Sequence, residues 1–342
     1  MKWMPMVAGL ALSWSLSVSA QADNSTEQLT VEPVIVPEFI DIAHRGASGY
    51  LPEHSQAATV MAHALGADYI EQDVQLSRDG KAVVLHDAQL DAVTNVAEVF
   101  PERHRPDGSY YVVDFTLNHL KQLSLTSRRN SDGAARYPQR FQNNQVDFKI
   151  QTLAESLNLI QELNRVRNKN TGVYIEVKAA RWYRDQDYDP LAVVMNVLSK
   201  NGYSDQQQAT PIYLQSFDPE TLRRVKREFH CDFPLVQLIA DNAWGETPID
   251  YDALRTYAGL ESLTSYVDHV GLWIGHVLKE VKDGQPVWTD VLTNAEKVGL
   301  KVHVYTLRSD QLPQGVESLK QLRGWLKEAG VQGVFSDFPD QK

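Results

Sequence analysis

Residues 44–73 read HRGASGYLPEHSQAATVMAHALGADYIEQD, and AVVLHD follows at 82–87. The stretch decides the fold because, with the strand that leads into it, it completes one strand–helix–strand unit. FIDIAH (39–44) is a short apolar strand, the segment near 55–65 has helical spacing, and DYIEQDV (68–74) is a second strand. A helix between consecutive strands implies parallel pairing. The same stretch gathers His44, Arg45, Glu53, Glu71 and Asp73, with His86 just beyond. Those residue types can hold a divalent cation, bind a phosphate and move protons on two sides of a bond.

Outward from that unit the alternation continues. Strand patterns recur at AVVLH (82–86), VYIEVK (173–178), IYLQSF (212–217), PLVQLI (234–239), DHVGLW (268–273), VHVYT (302–306) and GVFSD (333–337). Helical patterns lie near 153–167, 190–200, 219–229, 289–298 and 316–329. About eight such units in one region predict an α/β fold, a (β/α)8 barrel. Nine strands are one too many, and Asp79-Gly80 between the second and third signals a hairpin. Either one strand is an antiparallel addition or the second unit is defective. Residues 88–150 are polar and irregular, too long for an ordinary connection, and read as an insertion on the barrel rim after the third strand.

The N-terminus reads as a secretory signal peptide. Lys2 precedes an apolar run from Met6 to Leu16, and Ala20 and Ala22 form an A-x-A site, so residues 1–22 are expected to be removed. That leaves 23–342 as one domain, exported and periplasmic, with no membrane anchor. Cys231 is a lone cysteine beside an apolar strand and reads as a buried structural thiol. The net charge is −11, or −12 once Lys2 leaves with the leader, which disfavours a nucleic-acid partner. A small phosphate ester remains compatible, since a local cluster of cations can attract it against the net field.

Strand alternation puts Glu71 and Asp73 on one face, with Ile70 and Val74 on the other. Two like charges side by side call for a cation between them, and Glu176 of YIEVK can bring a third oxygen from another strand. His44 and His86 both follow apolar strand residues, which suits an acid/base pair flanking phosphorus. Arg45 can grip phosphate oxygens with its planar fork, and Lys178 adds a point charge. Gly46 and Gly49 are expected to let backbone approach a ligand. His54 adjoins Glu53, and His303 alternates with apolar residues, so it reads as structural.

Together IAHRGASGYLPEHS, GADYIEQDVQLSRDGKAVVLHD, YIEVK, LQSF and GVFSDFP resemble the glycerophosphodiester phosphodiesterase family, closest to its periplasmic bacterial members. The resemblance runs in order along essentially all of 23–342. It implies a TIM barrel of the phospholipase C-like phosphodiesterase type, with an insertion after the HD motif. It implies His44 and His86 as the acid/base pair. Glu71, Asp73 and Glu176 would hold one divalent cation, commonly Ca2+, with Mg2+ open. Arg45 and Lys178 match phosphate-binding positions, Glu53 a supporting acid, and Phe217 and Tyr305 the substrate lining. Two departures are Tyr305, where many members carry Trp, and Ser55, where Thr or Asn is usual. The implied activity is hydrolysis of small glycerophosphodiesters such as glycerophosphocholine to sn-glycerol 3-phosphate and an alcohol. A lyase stopping at a cyclic phosphate and a non-catalytic binder of phosphorylated glycerol compounds are the rivals.

Overall fold

The first strand of the computed structural model, β1 (Ile40–Ala43), is paired in parallel on both sides. Ile42 lies opposite Tyr69 of β2 (Tyr69–Leu76), and Ile40 lies opposite Gly333 of β9 (Gly333–Ser336). That double pairing closes the sheet. Around it run β2, β4 (Gly172–Val177), β5 (Ile212–Ser216), β6 (Leu235–Ile239), β7 (His269–Trp273), β8 (Lys301–Leu307) and β9, each parallel to its neighbours. β3 (Ala82–Val84) pairs antiparallel with the end of β2, Val74 against Val84. The ninth strand is therefore an antiparallel addition to a complete (β/α)8 barrel. The structure describes Met1 and residues 39–342, apart from 143–144, 205–206 and 209. Met1 aside, the expected signal peptide lies outside the described residues.

Helix limits follow their caps. α1 (Gln56–Ala64) starts where Ser55 accepts from the Ala58 N–H, so the hydroxyl at this position serves as an N-cap. α2 (Leu153–Arg167) starts at a capping box formed by Thr152 and Glu155. α3 (Pro190–Lys200) and α4 (Pro219–Phe229) each begin with proline after a capping aspartate, Asp189 and Asp218. Lower in periodic signal is α5 (Tyr257–Leu263), which follows β6 and which sequence spacing did not predict. Their apolar faces cover the outside of the sheet, where Ile70, Val74, Leu157, Leu198 and Leu222 are all fully buried.

Residues 88–150 differ from the irregular polar insertion expected. Leu90, Val93, Val96, Val112, Phe115, Leu120, Leu123, Leu125 and Ile150 pack with Val83 and Leu85 into a separate apolar core. These apolar residues have neither a 2.0 nor a 3.6 period, so periodicity could not find them. Packing gives the insertion a stable position over one side of the barrel mouth.

The floor of the barrel is aromatic. Tyr69, Tyr174, Tyr213 and Phe335 pack there with His269 and His303, whose ring centroids are 5.0 Å apart. The Tyr174 hydroxyl is 2.8 Å from His303 Nδ1, in keeping with a structural His303. Burial, with help from Lys301, pushes His269 down to about 4 against the opposing pull of Asp268. His303 lies well below 6.5 through burial and the neighbouring His269. A depressed histidine binds its proton in the unfolded chain first. Its contribution to stability is therefore complete above about pH 6.5 and lost as pH falls toward 4, on the order of 3 kcal/mol for His269. Tm measured against pH for the wild type and His269→Gln checks this. The wild-type curve should fall more steeply between those limits; parallel curves would exclude the effect.

Candidate active site

The strand ends at the barrel mouth carry the polar residues. His44 directly follows β1, Glu71 and Asp73 belong to β2, and Glu176 belongs to β4, with Lys178 just after it. Gln215 belongs to β5 and Tyr305 to β8, while Phe217 and Asp337 directly follow β5 and β9. Register does the assembling: Asp73 lies opposite Glu176, and Glu176 opposite Gln215. His86 sits just past β3, anchored by Leu85 N–H to the Asp73 carbonyl (2.9 Å) and by the Gln75 side chain to its own carbonyl (2.7 Å).

Each histidine has a carboxylate at Nδ1 and a cation at Nε2. His44 Nδ1 is 2.6 Å from Asp337 Oδ1, and Arg45 Nε is 3.2 Å from His44 Nε2. His86 Nδ1 is 2.5 Å from Asp87 Oδ1, and Lys178 Nζ is 3.3 Å from His86 Nε2. A carboxylate at Nδ1 favours the Nδ1–H tautomer and leaves the Nε2 lone pair directed away from it. Burial holds His44 down to about 4, reinforced by Arg45 and opposed by Asp337. Burial, then Arg45 and Lys178, holds His86 down to about 3. Both rings are neutral at pH 7 in this arrangement.

The aspartates are themselves clamped. Asp337 Oδ2 takes Arg308 Nε at 2.8 Å and an Arg140 nitrogen at 2.8 Å. Burial would raise its carboxyl, but Arg308, His44 and Arg140 outweigh burial and hold it well below the usual range. Asp87 Oδ2 takes Arg128 at 2.6 Å. Arg128 also grips Glu53 through two nitrogens, at 2.7 and 2.8 Å, and Glu53 takes Arg45 at 2.9 Å. Thus one ionic chain runs from His86 through Asp87, Arg128 and Glu53 to Arg45. Arg128 and Arg140 both come from the insertion, which supplies one arginine to each histidine–aspartate pair.

Glu71, Asp73 and Glu176 converge, each offering an oxygen within 4.8 Å of the others. All are buried. The Gln215 side-chain amide donates to Glu71 at 3.1 Å, and the Arg45 N–H donates to the same carboxylate at 2.8 Å. His54 holds one Asp73 oxygen at 2.8 Å, while Asp73 Oδ1 has no hydrogen-bond partner. Glu176 Oε1 is 3.0 Å from Lys178 Nζ but outside hydrogen-bond geometry. Burial and the Asp73 charge push Glu71 well above its usual range, and burial does the same to Glu176 despite Lys178. An orphaned carboxylate oxygen among buried acids fits a hard cation, and this trio can bind one.

His44, Arg45, Glu71, His86, Glu176, Phe217 and Tyr305 line one cavity of about 650 Å3. Asp73 and Lys178 lie beneath it, at 0% and 4% exposure. Phe217 and Tyr305 meet edge to face, 6.3 Å between centroids, and Lys178 Nζ is 5.3 Å from the Phe217 ring. Glu53 does not reach this cavity; it lines the adjoining one. Every residue expected at the site is therefore at the mouth. Sequence reasoning gave no role to Asp87, Asp337, Arg128, Arg140, Arg308 or Gln215. Asp87 beside His86 and Asp337 at a strand end were visible signals. The glycines need correction. A Cβ at Gly46 would lie 2.8 Å from the Ala58 backbone, and one at Gly49 would lie 2.4 Å from the Phe338 ring. They admit protein packing, not a ligand.

The glycerophosphoryl diester phosphodiesterase family model matches residues 44–341. A glycerophosphodiester phosphodiesterase of Haemophilus influenzae is 38% identical, covering 88% of each chain. One of Treponema pallidum is 33% identical over 89% of this chain and 90% of its own. An Oleispira antarctica phosphodiesterase, solved in complex with sn-glycerol-3-phosphate, is 21% identical. It superposes with a TM-score of 0.58 over 88% of this chain and 94% of its own, a likeness of fold. The barrel, the convergent acids and these relatives lead to one assignment: the chain belongs to the glycerophosphoryl diester phosphodiesterase family and is a phosphoric diester hydrolase.

Proposed function

We propose that this enzyme hydrolyses small glycerophosphodiesters, such as glycerophosphocholine and glycerophosphoethanolamine, to sn-glycerol 3-phosphate and an alcohol. The observation that carries the reading is the pair of histidines, each oriented by an aspartate, on a cavity that Glu71 and Glu176 line and Asp73 underlies. The product bound by the Oleispira antarctica phosphodiesterase supports the choice of glycerol phosphate.

Arg45 and Lys178 bind the phosphate oxygens, and the glycerol half faces Phe217 and Tyr305. The glycerol 2-hydroxyl attacks phosphorus. One histidine accepts its proton at Nε2, and the other donates a proton to the departing alcohol oxygen. A phosphodiester brings one negative charge between the rings, which raises the histidine it touches toward the protonated form. Water then opens the cyclic phosphate. Asp337 and Asp87 hold the rings in place and stabilise the protonated state. Glu71, Asp73 and Glu176 would hold the cation, and when bound it supplies Lewis acidity that lowers the pKa of the attacking hydroxyl. An all-oxygen donor set favours Ca2+, with Mg2+ next, over zinc. A pure capture protein has no use for two oriented histidines beside such a trio. We further propose that residues 1–22 direct export to the periplasm and that the remaining chain acts there without a membrane anchor.

The test is an analogue of glycerophosphocholine lacking the 2-hydroxyl. It should bind, competing with the parent substrate, yet turn over at least about a hundredfold more slowly. Normal turnover would replace the hydroxyl with directly attacking water.

A further inference from the structure

A second cavity of about 430 Å3 adjoins the first, and the two share His44, Arg45, His86, Arg136, Tyr137 and Arg308. The acids differ between them: Glu71 and Glu176 line only the larger cavity. If glycerol sits beside those acids, as proposed above, the scissile phosphorus lies at the seam, and the smaller cavity receives the leaving alcohol. Its wall is built from Arg45, Arg128, Arg129, Arg136, Arg140 and Arg308, against Glu53 and Asp337. In a chain of net charge −11 this is a concentrated positive field.

Most of these arginines are committed. Arg45, Arg128, Arg140 and Arg308 are paired with Glu53, Asp87, Asp310 or Asp337. Among the described residues, Arg129 and Arg136 meet no carboxylate; Arg136 touches only the Asn130 side-chain oxygen, at 3.3 Å. Both stand on a hairpin of the insertion. The Arg136 N–H donates to the Arg128 carbonyl and the Asn130 N–H to the Ala134 carbonyl, each at 2.9 Å, and Arg129 bridges Ala135. The hairpin thus presents two unpaired guanidinium forks to the cavity that the leaving group enters, Arg129 within it alone and Arg136 at the seam with the larger one. Guanidinium forks match phosphate oxygens in bidentate fashion.

We propose that Arg129 and Arg136 form a subsite for a second phosphate, so that the enzyme favours glycerophosphodiesters whose leaving alcohol itself bears a phosphate. The proposal rests on the glycerophosphodiesterase reading above.

The test compares a matched pair of substrates, glycerophosphoglycerol and its counterpart carrying a phosphate on the leaving glycerol. Both are assayed at low salt and saturating Ca2+ with the full chain and with an R129Q/R136Q variant. The wild type should show about tenfold higher kcat/KM for the phosphate-bearing substrate, an advantage that shrinks as salt rises. The double variant should lose the preference while its kcat/KM for glycerophosphoglycerol stays within about twofold. An absent preference in the wild type, a preference retained by the variant, or equal losses on both substrates would each overturn the subsite and leave the glycerophosphodiesterase reading standing. If neither diester is cleaved by the wild type, that reading fails and the subsite falls with it.

Discussion

His44→Ala and His86→Ala should each lower kcat on glycerophosphocholine at least about a hundredfold, since positioned acid/base catalysis contributes about 10²–10⁴-fold. Folding should stay largely intact, because both side chains point into the mouth and not into the apolar layers. In the proposed mechanism the two rings act on one proton inventory, one accepting while the other donates. The double variant should therefore cost less than the product of the single losses. A good leaving group needs little protonation. A substrate releasing p-nitrophenol should partly rescue the variant that lacks the general acid and leave the other unimproved, which assigns the roles. The structure gives the rings near-equivalent settings, an aspartate at Nδ1 and a cation near Nε2. Near wild-type activity in either single variant would make that histidine structural.

Removing the cation should have a larger effect. Excess chelator is expected to reduce turnover on the order of a thousandfold, because Lewis-acid stabilisation is worth several kcal/mol and each 1.36 kcal/mol is tenfold. The loss should reverse on adding Ca2+. A second readout is thermal. Glu71, Asp73 and Glu176 are buried within 4.8 Å of one another, so a cation that binds only the folded state should raise Tm with concentration. Asp73→Asn should weaken that Tm response without unfolding the barrel, since the His54 contact at the second Asp73 oxygen can be kept by an amide. Full turnover in chelator, with a Tm indifferent to Ca2+, would remove the cation from the mechanism.

The sequence alone determined whatever obeys a local period. The barrel strands were legible because each is a short apolar run between helical segments, and four helices begin where capping residues and proline put them. The convergent acid trio was legible for the same reason. Strand alternation places Glu71 and Asp73 on one face, and parallel pairing brings Glu176 opposite Asp73. The third strand was readable only as one of two alternatives, and pairing of Val74 with Val84 decided it. The arginines were decided by tertiary structure alone. Arg128 and Arg140 belong to an insertion whose apolar residues follow no period, and they reach Asp87 and Asp337 across long sequence separations. No local rule couples residues so far apart. Only burial of the insertion's own core brings them to the histidines, and only that packing adds Arg128, Arg129 and Arg140 to one side of the mouth.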